Sequence, residues 1–302
     1  MSARSFDRVA LIGIGLIGSS LARALRRDSP GTRIVACARR PETLAAVRRL
    51  DLADTTTHDP AEAAAGADLV VVATPLSAYA EIGRRIGPAL ERGAIVTDVG
   101  SVKETAIRDL APHLPDRVEL VPGHPVAGTE HSGPEAGFAE LFRDRWCILT
   151  PLPETAPEAV SAVEAMWRRC GMRVTRMSAA HHDRVLAMTS HLPHLIAYTI
   201  VGTATDLEDS LKSEVIEFSA SGFRDFTRIA ASDPVMWRDI FLANREAVLD
   251  ILQRFSEDLT ALQRAIRWGE GDKLHDLFSR TRAIRRGVIE AGQESAEPNF
   301  GR

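Results

Sequence analysis

Residues 122–131 read PGHPVAGTEH. Two histidines and a glutamate stand there among two prolines and two glycines, with almost no apolar side chain to bury. Such a stretch makes a poor helix and a poor strand, so it reads as a stiff loop that presents His124. Neutral imidazole accepts the proton that an alcohol gives up as its hydride leaves for a nicotinamide. A lone loop histidine is usually structural, and what reverses that reading is a cofactor motif earlier in the chain. Gly13-Ile14-Gly15-Leu16-Ile17-Gly18 follows the apolar run RVALI and opens the helical pattern SSLARALRR. In that context the first glycine permits a tight turn and the second lets backbone approach a pyrophosphate. The third allows close helix–strand packing, and the helix N-terminus receives the phosphate charge. Cofactor contacts are therefore expected at Gly13, Gly15, Leu16, Ile17 and Gly18.

Further along, an NAD site usually places a carboxylate at the end of the second strand. Here RIVACA runs into Ala38-Arg39-Arg40. Arg39 and Arg40 favour the 2′-phosphate of NADP, because guanidinium binds phosphate through paired donors; the alternative is two solvated surface arginines. Thr74 and Pro75 end a fourth strand, and Asp98-Val99-Gly100-Ser101-Val102-Lys103 follows a fifth, where a doubly wound sheet lines its crevice. Ser101 reads either as a hydroxyl turned into the site or as a helix N-cap. Lys103 reads as a solvated first-turn lysine in preference to a catalytic one. Later, TSHLPHLIAY carries His191 and His194 three residues apart, on one face of a helix that Pro193 should kink. Two histidines make half a metal site, but no third ligand stands at a fitting spacing, so no metal is expected. In GFRDFTRIAASDPVMWRDIF, Asp225 and Arg228 form a natural i,i+3 ion pair, and one buried arginine there would suit a substrate carboxylate.

These residues need a frame. Up to about residue 177, short β-branched runs (RVALIGIG, RIVACA, ADLVVVATP, GAIVTDVG, RVELVPG, RWCILTP, MRVTRMS) alternate with helical patterns. That rhythm predicts an α/β fold: an N-terminal Rossmann-type doubly wound, mainly parallel sheet over residues 1–177. After Ser178 the pattern is helical, which predicts an all-α C-terminal domain over 178–291, with a polar, disordered tail over 292–302. Phe241, Val248, Leu252, Phe255, Leu259 and Leu262 recur at helical spacing, as a core face or a helix–helix interface that suggests a homodimer. The composition is ordinary for a globular protein, with 45% hydrophobic residues and 26% charged. A net charge of −4 without a basic cluster points away from nucleic acid, and no wholly apolar run is long enough to suggest a membrane partner. Three scattered cysteines, Cys37, Cys147 and Cys170, fit free thiols in the cytoplasm.

Taken together and in this order, LIGIGLIGSSLA, DVGSVK, GHPVAGTEHSG, SHLPH and GFRDFTRIAASDPVMWRDIF resemble the prephenate/arogenate (cyclohexadienyl) dehydrogenase family of tyrosine biosynthesis. The resemblance implies oxidative decarboxylation of prephenate or arogenate with NADP or NAD, giving 4-hydroxyphenylpyruvate or tyrosine. It implies that His124 accepts a hydrogen bond from the ring hydroxyl, with Ser101 orienting it and bridging to the nicotinamide. Arg228 would grip a substrate carboxylate with support from Asp225 and with Trp237 close by. His194 would stand at the mouth of the pocket, and Thr129 and Glu130 would line it. The site would lie between the dinucleotide lobe and a helical dimerisation lobe. One departure bears on the cofactor: members that use NAD commonly carry an acidic residue where this chain has Ala38-Arg39. A β-hydroxyacid dehydrogenase would instead demand a lysine on the long helix after the dinucleotide domain, where this chain offers His191 and His194.

Overall fold

The alternating apolar runs close into one sheet in the computed structural model, which describes residues 5–129, 131–205, 217 and 221–290. Strands β1 (Arg8–Ile12), β2 (Arg33–Cys37), β3 (Thr55–Thr57), β4 (Leu69–Val72), β5 (Ile95–Asp98) and β6 (Glu119–Val121) lie in the order β3-β2-β1-β4-β5-β6. Every neighbouring pair is parallel. Helices α1 (Leu16–Asp28), α2 (Pro41–Arg49), α3 (Pro60–Ala64), α4 (Tyr79–Ile86) and α5 (Lys103–Leu110) make the crossovers. The central strand shows why its sequence is almost wholly apolar. Val9 and Leu11 face one hydrophobic core and Ala10 and Ile12 face the other, so both sides are covered. The expected doubly wound sheet is therefore present. Its order reverses between β1 and β4, which opens a crevice at their carboxyl ends.

A second, three-stranded sheet follows. It joins β7 (Gly123–Val126), β8 (Trp146–Leu149) and β9 (Arg173–Arg176), with β7–β8 antiparallel and β8–β9 parallel. Helix α6 (Pro157–Arg169) lies between β8 and β9 in the chain and buries Trp167 completely. Here the structure corrects the loop expected at PGHPVAGTEH. His124 sits on β7, paired opposite Ile148, and the loop starts only after Val126. Proline is tolerated because this is an edge strand, where a missing N–H need not break a ladder.

The helical half comprises α7 (Ala179–Leu186), α8 (Leu192–Thr205), α9 (Ser221–Thr227), α10 (Pro234–Ala243), α11 (Arg245–Arg267) and α12 (Gly271–Glu290). Among its described residues there is no strand. Between α7 and α8 the residues Ala187–His191 form a π-helical turn. The kink expected at Pro193 is replaced by this wide turn just before it, which accommodates the proline ring and its missing donor. The whole run Ala179–Ala204, 26 residues, is long and apolar enough by length and composition to cross a membrane. The run is not wholly apolar, because serine, threonine and histidine are interspersed. Within it His182, Asp183 and His191 are buried and make polar contacts with His124, the start of α5 and Asn244. The apolar stripe on α11 is divided. Val248 is buried, whereas Leu259 is 54% exposed, and Ile266 and Trp268 continue the exposed surface. The sequence-based tail, residues 292–302, lies outside the described residues.

Candidate active site

The three glycines of the β1–α1 turn occupy three different environments. Gly13 has φ +101°, and a Cβ there would lie 2.5 Å from the Ala73 carbonyl oxygen, so only glycine fits against the end of β4. A Cβ on Gly18 would lie 2.2 Å from the Gly13 carbonyl oxygen, whereas one on Gly15 would meet nothing within 4 Å. The middle glycine thus faces open space at the N-terminus of α1. That helix end has no side-chain cap and no acidic residue in its first turn. Leu16 and Ile17 form the helix start. Unopposed backbone N–H groups beside an open glycine fit a pyrophosphate. Thr74 and Pro75 adjoin this turn across the crevice, since Gly13 packs on Ala73 and the Thr74 nitrogen. Arg39 and Arg40 are exposed at the carboxyl end of β2, beyond Cys37, whose carbonyl accepts a hydrogen bond from the Gly13 N–H.

On the other side of the crevice, the end of β5 is tied to the start of β7. The Asp98 carboxylate accepts from the Tyr79 hydroxyl (3.0 Å), the Gly100 N–H (2.8 Å), the Gly123 N–H (3.1 Å) and the Lys103 Nζ (2.5 Å). Lys103 Nζ also donates to the Gly123 carbonyl at 2.6 Å. Both backbone groups of the residue preceding His124 are thereby fixed. Lys103 is wholly buried, which corrects the solvated lysine read from the sequence: its paired carboxylate allows the charge inside. Burial pushes its ammonium below the usual value, opposed by the charge and hydrogen bond of Asp98. Removing one partner of such a pair costs about 3–5 kcal/mol. Burial also raises the Tyr79 phenol well above its ordinary value, helped by the Asp98 charge.

Ser101 does not cap α5. Val102 takes that position, and the cap comes from another element: Asp183, on α7, accepts from the Lys103 N–H at 2.7 Å and the Glu104 N–H at 2.9 Å. Ser101 is left half-buried at the strand end, one residue before this anchored helix. His124 stands on the adjoining strand, 8% exposed, with its Nδ1 2.8 Å from Nε2 of His182. The Nδ1 of His182 lies in turn 2.7 Å from Asp183 Oδ1. Burial lowers His124 well below the ordinary histidine range, and the charges of His182, Lys103 and His191 act in the same direction. His124 is therefore neutral at pH 7, as a proton acceptor must be.

From there a continuous path of contacts crosses the helical lobe. The Asn244 amide donates to the Asp183 carbonyl at 2.8 Å and lies 3.1 Å from the Nδ1 of His191. His191 is fully buried and is lowered to about 4, chiefly by burial. Its ring meets Trp237 edge-on at 6.0 Å, and Trp237 stacks on His194 at 3.6 Å. The charge of Arg228 reaches His194, which is half-buried and lowered mainly by burial. His124, His194, Trp237 and Arg228 are thus brought to one region, between the sheets and the helices.

Three other expected site residues are Thr129, Glu130 and Asp225. Thr129 is exposed, and its hydroxyl accepts from the His131 N–H, as in a turn. Glu130 lies outside the described residues. Asp225 is exposed on the short α9, three residues before Arg228. No cluster of metal-ligating side chains occurs among the described residues. The sequence reading passed over Asp98, His182, Asp183 and Asn244. The adjacent pair in SAAHHDRV, polar residues at the head of an apolar helix, was the available signal for two of them.

Comparison with known proteins agrees with this architecture. The prephenate dehydrogenase nucleotide-binding domain family matches residues 21–176, and the prephenate dehydrogenase dimerization domain family matches residues 178–280. A cyclohexadienyl dehydrogenase of Zymomonas mobilis is 42% identical over 280 residues, covering 93% of this chain and 95% of the relative. A prephenate dehydrogenase of Bacillus subtilis is 32% identical over 97% of this chain and 79% of its own length. Among solved structures, prephenate dehydrogenase from A. aeolicus, in complex with hydroxyphenyl propionate and NAD+, superposes with a TM-score of 0.88 at 33% identity, over 95% of this chain and all of that one. Synechocystis arogenate dehydrogenase gives a TM-score of 0.77 at 27% identity, over 93% of this chain and 99% of that one. A dinucleotide crevice, a buried neutral histidine beside it, and two adjoining family matches lead to one conclusion: the chain belongs to the prephenate dehydrogenase family.

Proposed function

We propose that this chain oxidises the ring hydroxyl of prephenate or arogenate with NADP+ or NAD+, releasing CO2 and forming 4-hydroxyphenylpyruvate or tyrosine. The observation that carries the reading is His124, neutral and buried beside an open dinucleotide turn. When bound, nicotinamide would supply the acceptor for the hydride of the ring carbon. His124 accepts the proton of the hydroxyl as it becomes a carbonyl, and loss of the ring carboxylate then makes the ring aromatic. Because aromatisation supplies much of the driving force, the chain's own task is orientation and charge stabilisation. Gly13, Gly15, Leu16, Ile17 and Gly18 hold the pyrophosphate, and Thr74 and Pro75 flank it. Ser101 orients the hydroxyl toward His124, and Arg228 with His194 receives a substrate carboxylate.

NADP is the preferred cofactor on this reading. Exposed Arg39 and Arg40 follow the second strand where an acidic residue would otherwise repel a 2′-phosphate. The protein works in the cytoplasm as a homodimer joined through the helical domain. Supporting this are the name of the matched C-terminal family and the exposed Leu259, Ile266 and Trp268, an apolar surface that a second copy would cover. Residues 1–177 form the dinucleotide domain and 178–291 the substrate and dimerisation domain. Purified protein mixed with each substrate and each cofactor, followed by absorbance of the reduced nicotinamide, tests the function directly. Turnover with NADP+ exceeding that with NAD+ is expected, and no turnover with any pair would overturn it.

A further inference from the structure

The contacts around Asp183 determine which ring nitrogen of His124 carries a proton. Both Asp183 oxygens face backbone donors, Oδ1 toward the Lys103 N–H and Oδ2 toward the Glu104 N–H, and backbone N–H can only donate. Oδ1 therefore acts as an acceptor, and the His182 Nδ1 at 2.7 Å from it must bear the hydrogen. His182 is fully buried, and burial lowers its pKa against the opposing hydrogen bond to Asp183, so at neutral pH it carries only that one hydrogen. Its Nε2 is then a bare lone pair. The His124 Nδ1, 2.8 Å away, can only donate to it. In a neutral His124 this leaves Nε2 as the unprotonated nitrogen.

We propose that His182 and Asp183 are positioning residues that hold His124 in the Nδ1–H tautomer and so keep its Nε2 free to take the substrate proton. The inference rests on the reading of His124 as proton acceptor, and it adds a reason for the backbone cap. By receiving the first N–H groups of α5, the Asp183 carboxylate is locked against rotation, and the α5 N-terminus holds the acceptor that the relay needs. The helical lobe thereby sets the protonation state of a residue on the second sheet. Reversal of this hydrogen-bond chain would put a hydrogen on Nε2 and turn the acceptor into a donor.

The test uses the full-length protein with its histidines labelled with nitrogen-15. In the wild type without ligands at neutral pH, the His124 nitrogen shifts should report hydrogen on Nδ1 and a bare Nε2. A bare Nδ1 would overturn the proposal even in a fully active enzyme. An inactive wild type with the expected tautomer would instead sink the proposed function and leave the relay standing. In His182→Leu, which removes the acceptor, kcat should fall on the order of 10-fold or more at nearly unchanged KM, with the His124 tautomers mixed. His182→Gln, whose side-chain oxygen can accept from the His124 Nδ1–H, should recover most of kcat and the single tautomer. Wild-type kcat in the leucine variant, or no difference between the two variants, would refute the positioning role.

Discussion

The buried histidines make stability fall in mild acid, and His191 allows the size to be worked out. Its pKa is about 4 in the folded protein against about 6.5 in an unfolded chain. Between these values the unfolded chain binds a proton that the folded one refuses. Stability is thus fully present above the unfolded pKa and is lost as pH falls. From pH 7 to pH 5, binding to the unfolded state favours unfolding by RT ln of roughly a 25-fold ratio, and the folded state recovers almost none of this, giving about 1.8 kcal/mol from His191 alone. His124 and His182 are lowered too and act in the same direction. His191→Asn removes the titration while its amide oxygen can still accept from the Asn244 amide, the partner His191 has now. Urea midpoints and slopes for both proteins at pH 7 and pH 5 give the four free energies required. The variant, though less stable at pH 7, should lose about 1.8 kcal/mol less than the wild type on acidification. Equal losses in the two proteins would mean that His191 is not held neutral by its surroundings.

The glycine turn separates folding from binding. Gly18→Ala should lower Tm measurably because its Cβ meets the Gly13 carbonyl, whereas Gly15→Ala, with open space around it, should keep Tm and raise the cofactor KM. Thermal melts with cofactor titrations check both. Arg228→Ala should raise the substrate KM roughly 30-fold or more through loss of a charge-assisted pair, with a smaller effect on kcat in steady-state assays.

The parallel sheet was legible because its strands are buried on both faces and so written in nearly unbroken apolar residues, as Leu69–Val72 shows. The glycine turn was legible for a related reason: each glycine answers a local steric demand. His124 was found as a residue but misplaced as a loop, since a strand of Gly-His-Pro-Val has little β propensity and exists only because Asp98, Lys103 and β8 hold it. Lys103 was misread because its partner Asp98 precedes it by five residues across a turn, and burial of a charge is a tertiary fact. His182 and Asp183 escaped notice because their roles depend on two elements some 58 to 80 residues away in the chain. Thr129 was named from motif position and Asp225 from its i,i+3 spacing to Arg228; both are exposed.

The proposed reaction depends first on His124 accepting the hydroxyl proton. The most direct measurement is the steady-state rate of His124→Asn on the substrate and cofactor pair that the wild type prefers. In that variant kcat should be lower on the order of 10²-fold or more with substrate KM little changed. Normal turnover by that variant would contradict it.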